Sequence, residues 1–313
     1  MQSPSSLREG QLEARYRAVR AQTVALAAPL SPEDMQVQSM PDASPTKWHL
    51  AHTTWFFETF VLARALGGEA AHRPFDPAYA LLFNSYYEAV GPRHPRPSRG
   101  LLTRPDAKEV ARYRAAIDAR MLELLRAGVD DATRAIVELG LHHEQQHQEL
   151  ILTDVQHVLS LSPLRPAYRQ PRPAGSIAPL SARKPSFFAH RGGDVEIGHG
   201  GDEFAFDNET PRHVAHLEPF EIASRPVTCG EYLAFIRDGG YERPGLWLSD
   251  GWAAVQANGW RAPLYWEPAE AAQTFRAFTL EGLRALDLEA PVSHVSHFEA
   301  DAYAHWAGAR LPT

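Results

Sequence analysis

The chain has 313 residues, of which 44% are hydrophobic and 22% are charged, and its net charge is −7. This length exceeds that of one ordinary domain, and the composition excludes a wholly disordered chain. There is no long basic stripe for nucleic acid, no apolar run near the roughly 18 residues of a membrane span, and no apolar core of a secretory signal at the start. The single cysteine, Cys229, forms no internal disulfide, so a reducing cytoplasm is the expected location.

The first half of the chain predicts long helices. Four stretches carry apolar side chains among charges, as amphipathic helices do. Asp106 precedes the third stretch as a cap and Gly128 follows it as a stop signal. The stretches cover residues 6–28, 45–66, 106–128 and 131–160. Four long helices with one long connection, 67–105, indicate a four-helix bundle, which we expect over residues 1–160.

The second half has a different texture. Residues 161–185 contain six prolines and no acidic residue, which predicts an extended linker. From residue 186 onward, short alternating segments are broken by Gly, Pro, Asp and Asn, as in short strands, and short helices are predicted at 229–238 and 298–307. We therefore expect a second domain over 186–313. Because the sequence stops at Thr313 without a closing element, we expect this domain to be incomplete.

The strongest motif is a histidine pair, His143 and His147, in the fourth predicted helix. Residues four apart on a helix lie on one face, with Cβ atoms about 6 Å apart, so both imidazoles can reach one metal ion. A third ligand must come from another element. His52 in the second helix is the best candidate, because facing helices of a bundle lie about 8 to 10 Å apart. His49 and His142 are rival ligands.

The same letters, HEQQH, match a zinc peptidase motif in which Glu144 would be the general base. Leu150 and Thr153 stand where the extended motif has glycine and histidine, and residues 161–185 offer no carboxylate ligand. An all-histidine site remains. Neutral imidazoles suit iron, zinc or copper, and the spacing does not choose among them.

Two further groups lie between the second and third helices. Tyr86 and Tyr87 are adjacent, and a phenol near a metal can donate a proton, although simple packing also explains such a pair. Residues 91–100 carry four basic side chains in a proline-stiffened loop. Arginine pairs bind carboxylates, so the loop is either a carboxylate clamp or a solvated basic surface.

These motifs together resemble a known family, the sulfoxide synthases of ergothioneine biosynthesis (the EgtB type). Three blocks are similar to its DinB-like domain: SPTKWHLAHTTWFFETF, FNSYYEAVGPRHPRPSRGLL and HHEQQHQELILTD. Three more are similar to its formylglycine-generating-enzyme-like (sulfatase-modifying) domain: IGHGGDEFAFDNETPRHVAHLEPFEIASRPVTCGEYLAFI, GGYERPGLWLSDGW and PVSHVSHFEADAYAHWAGARLPT. The resemblance implies an α+β multidomain fold, a DinB-like four-helix bundle followed by a C-type-lectin-like domain.

The resemblance also implies a chemistry. The family holds a mononuclear non-haem iron(II) with three histidines, which by motif are His52, His143 and His147. It uses O2 to join the sulfur of cysteine or γ-glutamylcysteine to the imidazole C2 of hercynine, the trimethylated histidine, and forms a sulfoxide. The partners are thus small molecules, rather than nucleic acid or a membrane.

Further roles carry over by motif. Gln146 would hydrogen-bond the substrate imidazole. Tyr86 and Tyr87 match the tyrosine pair of the cysteine-using subgroup, one of them as proton donor. Arg96 and Arg99 match the pair that holds the carboxylate of the sulfur donor. The loops that complete the family's pocket follow the RLPT block, so the residues around the trimethylammonium group are not named.

Three alternatives differ in chemistry. An ovothiol-type synthase would join cysteine to unmethylated histidine. A DinB-like metal-dependent thiol transferase would need no oxygen. A lectin-like binding module fused to a metal-stabilised bundle would bind metal without consuming oxygen.

Overall fold

The structure is a computed structural model, and the chain divides into two compact units, Met1–Arg169 and Gln170–Thr313. The residues that it describes are 4–67, 72–85, 91–170, 185–269 and 274–313. Among the helices of this described part, none has both the length and the apolar composition needed to cross a membrane.

The first unit is helical. Its helices are α1 (Pro4–Ala27), α2 (Thr46–Phe56), α3 (Ala63–Ala65), α4 (Tyr79–Phe83), α5 (Ala107–Ala127) and α6 (Asp131–Ser160). The four predicted long helices are confirmed, with one difference: a π-helix, Phe57–Leu62, joins α2 to α3 within the predicted second helix. The long connection also contains α4 and a 3₁₀ helix, Arg96–Leu101, which the sequence did not predict.

Local capping explains where the last two long helices begin. The Asp106 carboxylate accepts a hydrogen bond from the backbone N–H of Glu109 at 2.8 Å, and Asp130 accepts one from the N–H of Thr133 at 2.7 Å. Each bond satisfies a backbone donor that the first turn leaves without a helical partner. Gly128, at φ 91°, ends α5 in a conformation that favours glycine. Helix α6, which carries the histidine pair, is therefore fixed at its start by its own sequence.

The four long helices pack around one core. Its largest fully buried members include Tyr16, Trp55, Phe57, Tyr113, Ile117, Met121 and Leu141. Helix α6 approaches α2 closely at Gly140, where an added Cβ would lie 2.7 Å from a ring carbon of Phe57 and 2.8 Å from one of Phe56. His143 follows three residues later, so this close approach brings it to the side of α2.

The second unit combines short antiparallel strands with helices. Strand β1 (Phe187–His190) pairs with β4 (Phe220–Ala223), β2 (Gly193–Ile197) with β3 (His213–Leu217), and β6 (Phe275–Thr279) lies between β5 (Trp266–Pro268) and β7 (Gly282–Ala285). Its helices are α7 (Cys229–Arg237), α8 (Ser249–Asn258) and α9 (His297–Trp306). The two predicted helices are confirmed as α7 and α9.

Helix α8 was not predicted, and tertiary packing explains it. Gly251 costs helix propensity, which argues against a helix on sequence alone. In the structure Gly251 packs against the Phe298 side chain of α9, where an added Cβ would lie 2.8 Å from the Phe298 Cβ. The aromatic core of this unit, which includes Tyr232, Phe235, Tyr241 and Trp247, thus stabilises a helix that local preference does not favour.

Candidate metal centre

Three histidines from two helices converge inside the first unit. His52 lies on α2, and His143 and His147 lie on α6. The Nε2 atom of His143 is 3.2 Å from that of His52 and 3.1 Å from that of His147. One ligand atom from each residue lies within 4.8 Å of the other two. The structure thus brings together the three residues that sequence analysis selected as metal ligands.

The other ring nitrogens show which protons the imidazoles carry. The Nδ1 of His52 lies 2.6 Å from the carbonyl oxygen of Phe83, which only accepts, so this nitrogen carries the proton. The Nδ1 of His147 lies 2.8 Å from the Nδ1 of His49, whose Nε2 lies 3.0 Å from the Asp154 carboxylate. A neutral His49 donates its Nε2 proton to this carboxylate, and its Nδ1 then accepts the proton of His147. The Nε2 atoms of His52 and His147 are therefore free of protons.

All three imidazoles are neutral near pH 7. Burial, aided by the neighbouring histidines, holds the pKa of His52 and that of His147 well below the ordinary 6.5. Burial also lowers the pKa of His143 to about 4, against the opposing attraction of Glu144. The neutral imidazole is the form that binds a metal ion, so none of the three rings has to give up an imidazolium proton before it binds.

The donor set fits a metal ion. Metal–nitrogen bonds of about 2.1 Å at right angles would place the nitrogens roughly 3.0 Å apart, close to the two separations seen here. The proton-free Nε2 atoms of His52 and His147 both face the Nε2 of His143, so a cation bound among them would contact all three rings. Three neutral nitrogen donors suit iron, zinc or copper and leave further coordination positions for other ligands.

Aromatic rings fix the orientation of His52. The Trp48 ring is stacked on its imidazole, with centroids 4.5 Å apart and planes inclined at 12°, and Trp55 lies at 5.9 Å and 19°. The guanidinium carbon of Arg99 lies 3.4 Å from the centroid of the Trp48 ring. His52 therefore has little freedom to rotate away from the other two ligands.

Glu144 is directed to a different set of partners. Its fully buried carboxylate pairs with Arg20 at 2.9 Å, with Arg114, and with the hydroxyl of Thr23 at 2.6 Å. Burial alone would raise the pKa of Glu144, but the attraction of the two arginines outweighs it and lowers the pKa to about 2. Such a carboxylate is a poor base, which agrees with the exclusion of a zinc peptidase.

The two rival histidines have other partners. His49 contacts His147 and Asp154, as described above, and lies one layer behind the three converging nitrogens. The Nε2 of His142 lies 2.7 Å from a guanidinium nitrogen of Arg15, at the side of α6 that faces α1.

The remaining predicted residues lie at different depths. Gln146 is exposed on α6, between the two candidate ligands of that helix. Arg96 is exposed at the start of the 3₁₀ helix and donates to the carbonyl of Asp42. Tyr86 and Tyr87 lie outside the described residues, so their predicted role stays a prediction.

Arg99 is buried, unlike Arg96. Its guanidinium donates to the hydroxyl of Ser44 at 2.9 Å and to that of Ser85 at 3.3 Å, in addition to its contact with Trp48. It therefore packs beside the metal centre, at the ends of segments that lead into α2 and out of α4.

Sequence reasoning missed Asp154 and the backbone carbonyl of Phe83, which both support ligand histidines. Asp154 is seven residues after His147, two helical turns along the same face, and it is buried. That spacing was a usable signal. No sequence pattern points to the Phe83 carbonyl.

Comparison with known proteins agrees with the division of the chain. Residues 15–151 match the family model of the DinB superfamily, and residues 175–313 match that of the sulfatase-modifying factor enzyme 1-like domain.

Curated relatives match nearly the whole chain. A hercynine oxygenase of Mycolicibacterium thermoresistibile is 32% identical over 90% of this chain and 59% of its own length, and one of Mycolicibacterium smegmatis is 32% identical over 90% and 61%. The hercynine oxygenase of Mycobacterium tuberculosis is 33% identical over 97% of this chain and 67% of its own length. The chain thus spans about 60% of the length of the first two relatives. On these similarities, the chain belongs to the hercynine oxygenase family, with a DinB superfamily domain followed by a sulfatase-modifying factor enzyme 1-like domain.

Proposed function

We propose that this chain is the part of a sulfoxide synthase that holds iron(II) and joins a thiol to hercynine with O2. The observation that carries the proposal is the convergence of ring nitrogens from three neutral histidines, His52, His143 and His147, in a chain whose relatives are named hercynine oxygenases. Cysteine is the proposed sulfur donor, with γ-glutamylcysteine second.

The proposed reaction is balanced by one molecule of O2. The C2–H bond of hercynine and the S–H bond of the thiol are broken, and a C–S bond forms. One oxygen atom goes to sulfur as the sulfoxide, and the other leaves as water with the two hydrogens. Iron(II), when bound, supplies oxygen activation and neighbouring positions for the thiol and the imidazole.

The side chains of the protein would bind and orient the two substrates. Gln146, which is exposed next to His147, is the proposed hydrogen-bond partner of the substrate imidazole. Arg96 offers an exposed guanidinium for the carboxylate of the sulfur donor, and Arg99 lies buried on the same 3₁₀ helix. Tyr86 or Tyr87 is the proposed proton donor, from the resemblance alone.

The test is reconstitution without oxygen. The full chain is loaded with iron(II), mixed with hercynine and cysteine or γ-glutamylcysteine, and then exposed to air, while O2 uptake and product masses are measured. We expect one O2 consumed per product, and a product mass equal to both substrates plus one oxygen minus two hydrogens. His147→Ala should lose the iron and the reaction, whereas His157→Ala, ten residues further along α6, should keep both.

Three results would contradict the proposal. Coupling to unmethylated histidine without turnover of hercynine would identify an ovothiol-type synthase. Unchanged turnover without oxygen would identify a thiol transferase. Full iron occupancy in His147→Ala would refute the proposed ligand set.

A further inference from the structure

A buried chain of hydrogen bonds runs from one ligand histidine to a carboxylate. It starts at the Nδ1 of His147, passes through both ring nitrogens of His49, and ends at the Oδ2 of Asp154, with distances of 2.8 and 3.0 Å. All three residues are buried, with exposed fractions of 9%, 2% and 7%. Water therefore has little access to compete for these bonds.

The same carboxylate oxygen also holds the start of the other ligand helix. The backbone N–H of Ser44 donates to the Oδ2 of Asp154 at 2.9 Å, two residues before α2 begins. Asp154 lies on α6, and His49 lies on α2, one turn before His52. The chain of hydrogen bonds thus joins the two helices that carry the three ligands.

The three ligands differ in what supports them. The Nδ1 of His52 donates to a neutral carbonyl, that of Phe83. The Nδ1 of His143 is buried and has no hydrogen-bond partner in the described part of the chain. Among the described residues, His147 alone of the three is connected to a carboxylate. A hydrogen bond that leads to an anion raises the electron density on the ligand nitrogen, whereas one to a neutral carbonyl does so less.

We infer that His49 and Asp154 are positioning residues for the metal: they fix the His147 tautomer with Nε2 free, and they make His147 the strongest donor of the three. This inference rests on metal binding by the three histidines, which is part of the proposed function. It does not depend on the substrates or on oxygen.

Three variants separate hydrogen bonding from charge. His49→Phe keeps a ring but breaks both bonds. His49→Gln can replace both, because its amide oxygen accepts from His147 and its amide nitrogen donates to Asp154. Asp154→Asn keeps an oxygen that can accept from His49 and Ser44 but removes the negative charge. His142→Gln, on α6 but bonded to Arg15, is the matched control.

The first measurement is the dissociation constant of cobalt(II), followed by its visible absorption, for the metal-free full chain. Loss of such an outer residue typically weakens metal binding about 10- to 100-fold, and we expect this for His49→Phe. His49→Gln should stay within about threefold of the parent, because it restores both bonds. His142→Gln should bind as the parent does.

The second measurement is the iron(III)/iron(II) reduction potential of the iron-loaded chain. Removal of a negative charge near the metal destabilises iron(III) more than iron(II), so Asp154→Asn should have a higher potential than the parent. A residue that only supported folding would lower the melting temperature without moving this potential. Should His49→Phe fail to fold, Asp154→Asn still decides the matter.

The inference is overturned if His49→Phe binds cobalt(II) as tightly as His142→Gln does, or if His49→Gln loses as much cobalt(II) affinity as His49→Phe. It is also overturned if Asp154→Asn leaves the reduction potential unchanged. These outcomes are distinct from a failure of the proposed function. If only the proposed function failed, the parent and the variants would bind metal as described, but the parent would give no product from hercynine and a thiol.

Discussion

The indole of Trp48 lies nearly parallel to the imidazole of His52, with 4.5 Å between the ring centroids and 12° between the planes. The indole also contacts the guanidinium of Arg99, and its Nε1 donates to the carbonyl of Leu82 at 3.0 Å. A cation and the imidazole of a candidate metal ligand thus both pack on one indole, and we call this group of three side chains the stack. The stack connects the 3₁₀ helix, which carries a proposed substrate-binding arginine, to the metal centre.

The stack can be tested by comparing Trp48→Phe with Trp48→Leu. Both lose the indole hydrogen bond and leave a cavity, but only phenylalanine keeps an aromatic face for His52 and Arg99. We expect Trp48→Leu to be less stable than Trp48→Phe by about 0.5 to 1.5 kcal/mol, the usual contribution of an aromatic pair beyond its area. Trp48→Leu should also bind cobalt(II) more weakly, because His52 is less restrained. Equal stability and equal affinity would remove the role given to the stack.

Glu144 holds three helices together through Arg20 of α1 and Arg114 of α5. Glu144→Gln would leave two buried guanidinium groups without their shared anion, which typically costs about 3 to 5 kcal/mol. We expect a loss of this size in the free energy of unfolding by urea at pH 7. Glu149→Gln, exposed on the same helix, should change the free energy by less than about 0.5 kcal/mol.

The same carboxylate gives a pH dependence. Its pKa is lowered from the usual 4.5 to about 2 in the folded protein, so the unfolded chain takes up the proton first as the pH falls. The stability that Glu144 contributes is therefore complete above pH 4.5 and is lost between pH 4.5 and 2. The difference in stability between the parent and Glu144→Gln should shrink over that range. A difference that stays constant down to pH 2 would mean that folding does not lower the pKa of Glu144.

The two arginines of the 3₁₀ helix should respond differently to alanine. Arg96 is exposed, so Arg96→Ala should leave the melting temperature unchanged while raising the KM of the sulfur donor by about tenfold or more, the usual effect of one charge-assisted hydrogen bond. The KM of hercynine should stay within about twofold. Arg99→Ala should instead lower the melting temperature, because Arg99 is bonded to Ser44 and Ser85. If Arg96→Ala raised the KM of hercynine as much as that of the sulfur donor, Arg96 would not have its proposed role.

Parts of this molecule follow from local sequence, and others do not. Helix α5 begins where Asp106 predicted, because a cap bonds to backbone three residues away, and α6 begins after Asp130 in the same way. The π-helix was not predictable, since apolar spacing does not reveal one extra residue in a turn. Its first turn contains Glu58, which accepts from the hydroxyl of Tyr113 at 2.5 Å, a partner 55 residues away.

The candidate metal centre also has some features that local sequence predicts and others that it does not. The pairing of His143 with His147 is fixed by helical geometry, and His52 followed from the expectation that the bundle brings α2 to α6. The chain from His147 to Asp154 depends on the rotation of both helices and on side-chain rotamers, which a single sequence does not specify. Tertiary packing, rather than local preference, therefore decides the outer layer of the metal centre.

The close approach of α6 to α2 gives the last prediction. Alanine normally stabilises a helix by about 1 kcal/mol over glycine, and Gly10→Ala on α1, where nothing lies within 4 Å of an added Cβ, should gain up to that amount. Gly140→Ala should do the opposite. Its Cβ would lie 2.7 and 2.8 Å from the rings of Phe57 and Phe56, which are both buried, and overpacking of this kind costs about 1 to 3 kcal/mol. Because the clash separates α6 from α2, the cobalt(II) affinity of Gly140→Ala should also fall, while that of Gly10→Ala should not. Urea unfolding measures the stability of the two variants, and titration with cobalt(II) measures their metal affinity. If Gly140→Ala were as stable as Gly10→Ala and bound cobalt(II) as tightly, the spacing of the two helices would not set the geometry of the ligands.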